Sequence, residues 1–217
     1  NGRPLTVNWM DRNIPAILEA WFPGPHGGQA IAEVIFGDYN PGGKIANTFP
    51  KSVGQIKWNF PYKKGSQNPP ATWGSIGGKA SMVHGSLYPF GYGLSYTEFE
   101  YSDLIVSPQQ QDSDGNITVQ FTVTNTGERA GDEIPQLYIK DEVSSVVTYE
   151  KVLRGFDRIS LQPGQSREVE FALKSDDLMI LDKNNEWTVE PGTFQVQVGR
   201  SSEDIRLKDK FEIVDSN

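Results

Sequence analysis

The chain of 217 residues reads as two unlike halves: an incomplete α/β portion over residues 1–97 and an all-β antiparallel sandwich over residues 98–217. Three observations predict this. After residue 98, apolar and polar residues alternate in short runs separated by Pro-Gly turns, the pattern of a two-sheet sandwich. Before residue 50 the pattern is an apolar run, a glycine loop and then apolar residues at helical spacing, which is the grammar of an α/β unit. Between the two lies Ser86–Phe99, where Tyr88, Phe90, Tyr92, Tyr96 and Phe99 surround Pro89, Gly91 and Gly93. Rings supply docking area and glycines permit close backbone approach, so this stretch is expected to be a packed seam rather than a flexible linker.

Taken in order, Pro4–Trp9 is rich in β-favouring residues and is expected to be a strand. Ile14–Phe22 is apolar and closed by Pro23-Gly24, which fits a buried strand of a parallel sheet. Gly27 and Gly28 then lead into Gln29–Phe36, where Ala30, Ile31, Val34 and Ile35 fall on one helical face and Gly37 can cap the end. The glycine loop lacks the phosphate-binding fingerprints, so its glycines are read as allowing close helix packing. Gly37–Gly43 is a dense turn signal, and Lys44–Pro50 a short strand ended by proline. Periodicity vanishes over residues 51–86, which carry Trp58, Phe60, Tyr62, Trp73 and His84; loops of that length inside compact domains are usually functional. Beyond the seam, strands are expected at Ile117–Thr124, Ile134–Ile139, Val152–Leu161, Arg167–Leu173 and Thr193–Gly199, with Trp187 packed in the core or at an edge.

Charge follows the same division. Residues 1–97 carry eight Lys/Arg against four Asp/Glu, and residues 98–217 carry twelve against twenty-four. The total of -8 argues against nucleic acid or an anionic membrane as partner. The opposite signs would favour docking of the two halves, although solvated faces explain them as well. No cysteine is present, which removes disulfides and thiolate metal sites, and no run of about 18 apolar residues could span a membrane. Asn1 leads directly into strand-like sequence, as a piece of a longer protein would.

The residues alone identify no reaction. His26 and His84 are too few for a histidine-rich metal site. Glu168 and Glu170 flank Val169, so they share the polar face of one strand and read as a solvated face rather than a catalytic pair. No catalytic residue, metal ligand or cofactor is assigned.

Longer motifs point further. Ala16–Gly24, Gly27–Ala32, Phe36–Lys44 and Thr48–Pro50 resemble the second domain of glycoside hydrolase family 3. Tyr88–Thr97 resembles that family's junction with a fibronectin type III-like domain, and Asn125–Gly127, Leu153–Phe156, Leu161–Ser166 and Pro191–Phe194 resemble the latter domain. The likeness is to bacterial periplasmic β-glucosidases, with a β-xylosidase as the other reading. It implies a retaining hydrolase that removes terminal β-linked glycosyl residues, located in the periplasm or secreted. It also implies an upstream (β/α)8 barrel holding the aspartate nucleophile, so that this stretch alone would be inactive. Retaining hydrolysis needs two carboxylates about 5–5.5 Å apart, and no nucleophile motif of the family occurs here. The implied partner is an oligosaccharide or β-glucoside bound through the barrel, with homodimerisation admitted. Trp58 and Trp73 are the candidate substrate-stacking residues, because the resemblance implies that loops of this domain roof the barrel. The competing reading is a non-catalytic carbohydrate-binding or protein-interaction sandwich.

Overall fold

The computed structural model describes residues 2–55, 59–63, 75–76, 79–80 and 85–214. The sandwich is built where alternation placed it. A three-stranded sheet in the order β12-β7-β5 comprises Ser166–Leu173, Ile117–Asn125 and Phe99–Ser107. Against it lies a five-stranded sheet, β10-β9-β15-β16-β6, made of Val152–Phe156, Gln136–Asp141, Gly192–Gly199, Ile205–Val214 and Gln110–Asp112. Along β7, Ile117, Val119, Phe121 and Val123 are buried while the intervening residues are half-exposed. Phe194, Val196 and Val198 of β15 face them from the other sheet. Burying one side chain per two residues on both inner faces is what holds two sheets together.

Two features depart from the simple antiparallel expectation. The chain passes from one sheet to the other at Ser107–Gln109 without reversing, so β6 runs parallel to β16 along Gln110–Asp112. The run Val152–Leu161 divides into β10 and β11, the latter being Ile159–Leu161 paired with β8, Gly131–Glu133. The remaining paired segments are short: β1 (Phe49–Pro50) with β4 (Ser86–Tyr88), β2 (Ser75–Ile76) with β3 (Lys79–Ala80), and β13 (Ile180–Leu181) with β14 (Trp187–Thr188).

The apolar cluster that forms the core is drawn from residues between Phe99 and Ile213. The first portion contributes helices instead. α2 spans Gly27–Phe36 and ends at Gly37, whose φ of 82° is the left-handed cap that glycine adopts without strain. Gly27 is buried against the Pro23 ring, leaving no room for a Cβ. Pro4–Trp9 is not a strand: after an extended stretch, Asn8–Asn13 turns into the short helix α1. Local hydrogen bonds stabilise that turn, from the Arg12 and Asn13 side chains to the carbonyls of Asn8 and Trp9. Ile14–Phe22 is not a buried strand either: it is irregular throughout, and Trp21 packs on Phe49 with ring centroids 6.0 Å apart. Phe22 is 84% exposed and Phe36 at the end of α2 is 81% exposed. An apolar run becomes a buried strand only when neighbouring strands and covering helices surround it. Of Lys44–Pro50, only Phe49–Pro50 is in a strand.

Phe121 sits in the inter-sheet core, fully buried between Tyr101 and Phe171. Phe121→Ala is expected to destabilise the chain by about 3–5 kcal/mol, whereas Glu168→Ala on the solvent face should stay within about 0.5 kcal/mol. Urea unfolding followed by circular dichroism measures both.

Candidate functional site

The seam is a socket built by the turn Gly37–Lys44. Asn40 reaches across with its whole amide: Nδ2 donates to the Ala130 carbonyl at 2.9 Å, and Oδ1 accepts from the Tyr96 backbone at 2.7 Å and the Ser95 hydroxyl at 3.0 Å. A Cβ on Gly93 would lie 2.2 Å from the Gly43 carbonyl oxygen, so the two backbones touch. Gly91 has φ 79°, and a Cβ there would strike the Gln136 side chain. Gln136 uses the space left to donate to the carbonyls of Gly91 and Arg200 at 3.1 and 2.8 Å. Thr97 donates its hydroxyl to buried Asn125 at 2.7 Å, and Asn125 in turn donates to the carbonyls of Arg129 and Leu161. The aromatic-glycine stretch is therefore a packed joint, as its composition predicts.

A buried ion pair closes it. Lys44 Nζ lies 3.1 Å from Glu133 Oε1, with both side chains almost wholly inaccessible, and Lys44 also donates to the Gly93 carbonyl. Arg200 Nε stands 3.7 Å from the other carboxylate oxygen. The contact is ionic rather than well directed, since neither Glu133 oxygen accepts an aligned hydrogen bond. Burial pushes the Lys44 ammonium below its ordinary pKa, and the Glu133 carboxylate opposes that shift. Burial also raises the nearby Tyr101 phenol, with Glu133 adding to the effect.

The loop of residues 51–86 springs from this joint, and its ends are held together. β1 and β4 pair across its base, and Gln55 donates to the Gly85 carbonyl at 3.0 Å. Phe60 stacks on Phe90 with centroids 4.8 Å apart and meets Tyr138 edge-on at 5.4 Å. The Tyr62 carbonyl accepts from the Glu150 backbone at 2.9 Å, and Lys63 sits over the Tyr149 ring. Beneath Phe60, Lys151 lies 5.4 Å from the Tyr138 ring centroid and donates to Gln197 at 3.0 Å. Burial pushes the Lys151 ammonium down to about 8. On the outer side, Tyr88 donates to Asp11 at 2.7 Å; burial and that bond raise its phenol to about 12.

Trp58, Trp73 and His84 lie outside the described residues. Glu168 and Glu170 are exposed on β12, where Glu170 accepts from Gln120 at 2.6 Å. Trp187 is not core: it is 68% exposed on β14. Sequence reading missed Lys44, Asn40 and Glu133, because a lysine after a turn and a lone glutamate between strands look like ordinary surface residues. The root of the loop is thus aromatic, and its rings and amides pin it to the seam and the sandwich.

Residues 1–96 match the family model described as the glycosyl hydrolase family 3 C-terminal domain, and residues 133–202 match the fibronectin type III-like domain. The chain belongs to glycosyl hydrolase family 3. A periplasmic β-glucosidase of Salmonella typhimurium is 40% identical over 216 residues, covering 99% of this family 3 chain and 28% of that protein. A β-xylosidase of Formosa agariphila is 43% identical over 208 residues, covering 96% of the chain and 28% of the relative. The crystal structure of a β-glucosidase from Listeria innocua in complex with glucose superposes with a TM-score of 0.87 at 34% identity, covering all of this chain and 30% of that one. This family 3 chain therefore spans under a third of the length of the relatives it matches.

Removing one partner of a buried ion pair typically costs about 3–5 kcal/mol. Lys44→Met should show a loss of that order in urea unfolding, and adding Glu133→Gln should recover most of it. A second outcome concerns pH. Between about 8 and 10.5 the unfolded chain holds the Lys151 proton that the folded chain has released, so this residue makes stability rise with pH across that window. Lys151→Met should flatten that rise in unfolding midpoints measured from pH 7 to 11.

Proposed function

We propose that this chain is the C-terminal scaffold of a longer retaining β-glycosidase, a β-glucosidase or β-xylosidase, whose nucleophile lies outside residues 1–217. In this reading residues 1–97 are the end of the α/β domain, residues 98–217 the fibronectin type III-like sandwich, and the loop at 51–86 shapes the substrate site. The observation that carries it is the doubly anchored root of that loop. β1–β4 pairing fixes its base, while the Phe60–Phe90 stack and the Tyr62–Glu150 bond tie it to the seam and the sandwich. Trp58 and Trp73 of this loop are assigned the stacking role, since an aromatic ring face can pack on a sugar beyond the cleaved bond.

The bare apolar surface fits the same reading. Trp9, Phe22, Ile35 and Phe36 are each more than half exposed, and we assign their covering to the remainder of the parent protein rather than to a second copy. A periplasmic or secreted location is proposed because a relative of that description covers nearly the whole chain.

The chain by itself should not hydrolyse an aryl β-glucoside or β-xyloside; turnover that persists through repurification would overturn the reading. In the full-length parent, Trp73→Ala should raise KM for tri- and tetrasaccharides by about tenfold while leaving the aryl glycoside within about twofold. Equal effects on both substrates would remove Trp73 from the stacking role.

A further inference from the structure

We propose that the sandwich carries a glycan-binding cleft of its own, between the five-stranded sheet and the segment of α3 and β13–β14, which takes an uncharged oligosaccharide. The cleft has a volume of about 370 Å³, within the range of sites for small ligands. Ile139 of β9 and Phe194 of β15, both core residues, form its floor. α3, Ser175–Leu178, and the β13–β14 pair wall it on one side, and the segment Val146–Tyr149 on the other.

Two charged residues occupy positions that in this fold belong to apolar side chains. Asp141 lies two residues past Ile139 on the same strand, hence on the same inward face, opposite Phe194 in register. Arg154 sits at a β-bulge: the register between β10 and β9 shifts from Leu153 to Gly155, so no residue of β9 opposes it. A bulge re-aims one side chain out of the alternating pattern, and here it brings the guanidinium to the cleft wall. The Arg154 Nε is buried without a hydrogen-bond partner, and burial lowers the guanidinium pKa against the pull of Asp177. A buried donor left unpaired costs the folded chain free energy, so a ligand acceptor at this position accounts for it.

The composition of the walls selects the ligand. Lys63 and Arg154 balance Asp141 and Asp177, so the cleft offers no net charge to attract an ion. It offers donors and acceptors side by side, the arrangement that matches hydroxyls, which both donate and accept. Asp177 spends one oxygen on the Lys174 backbone at 2.9 Å, and Asp141 accepts from Val143 at 3.2 Å. Each carboxylate retains a second oxygen. At the rim, Trp187 is 68% exposed and offers its ring to the C–H face of a pyranose, while Tyr149, 44% exposed with Lys63 over one ring face, lines the opposite side. A ring platform beside balanced polar groups is a sugar subsite, and among the described residues Lys63 is the one member of the loop at 51–86 that reaches it.

The test is titration of the full 217-residue chain with cellotetraose and, separately, xylotetraose, following the Trp187 indole N–H signal assigned with Trp187→Phe. A saturable shift with Kd between about 0.1 and 5 mM is expected for at least one of them. Measured by isothermal titration calorimetry, Trp187→Ala and Arg154→Gln should each weaken binding at least about tenfold, while Trp73→Ala leaves the Trp187 shift in place. Because Trp187 is exposed, its alanine variant should unfold at the wild-type temperature, which separates lost binding from lost folding. Absence of a saturable shift up to about 20 mM, or binding unchanged in Trp187→Ala, overturns the proposal. So does tighter binding of a uronate-bearing tetrasaccharide than of the neutral ones, which would replace the uncharged class by an acidic one.

Discussion

A carboxylate with no solvent exposure, placed inside a β-sandwich, must find a cation or destabilise the fold that buries it. Glu133 finds Lys44, and Lys44 is supplied by the turn after α2 rather than by the sandwich. The core of the second half is apolar and self-contained, yet its least tolerant polar group is completed by the first. Around this pair the contacts are mostly of backbone and amide: Asn40 to Ala130 and Tyr96, Gln136 to Gly91 and Arg200, Gly43 against Gly93. Such contacts are short and directional, so they specify an orientation rather than merely an attraction. The two halves meet as one joint, with a charge at its centre.

The sandwich was legible because its physics is local to each strand. In β7 every second residue is buried, and the apolar-polar alternation that states this is written in the sequence itself. The Asn125-Thr-Gly127 turn was equally legible, although not its purpose: the Asn125 amide joins Thr97 to Arg129 and Leu161. Between the two places open to Trp187, core or edge, the sequence could not choose, because an aromatic residue in a strand resembles core packing whether or not a second sheet covers it; it lies on the two-stranded β13–β14 pair. Arg154 was hidden for a different reason. A bulge breaks the alternation that would reveal which way a side chain points, so its destination is set by pairing with β9.

The first portion was less legible, and the failures share a cause. Ile14–Phe22 has the composition of a buried strand, but burial belongs to its neighbours and not to the segment. Without a sheet alongside among the described residues, the chain there is irregular: Phe22 faces outward while Trp21 packs on Phe49. By contrast α2 was recognisable, because its cap at Gly37 and its spacing depend only on residues within reach of one another. Signals that act within a few residues were readable, and those that act across the fold were not.

The closed base of the loop at 51–86 bears on how proteins of this kind can diverge. Because β1, β4 and Gln55 hold its ends and Phe60 and Tyr62 fix its first part, a change in length beyond Lys63 leaves the joint untouched. Doubling such a loop adds only about 0.6 kcal/mol of closure entropy. Insertions and deletions there are nearly neutral for folding while altering the surface the loop presents. Change in the surface presented there can therefore accumulate without revision of the core, the seam or the buried charges.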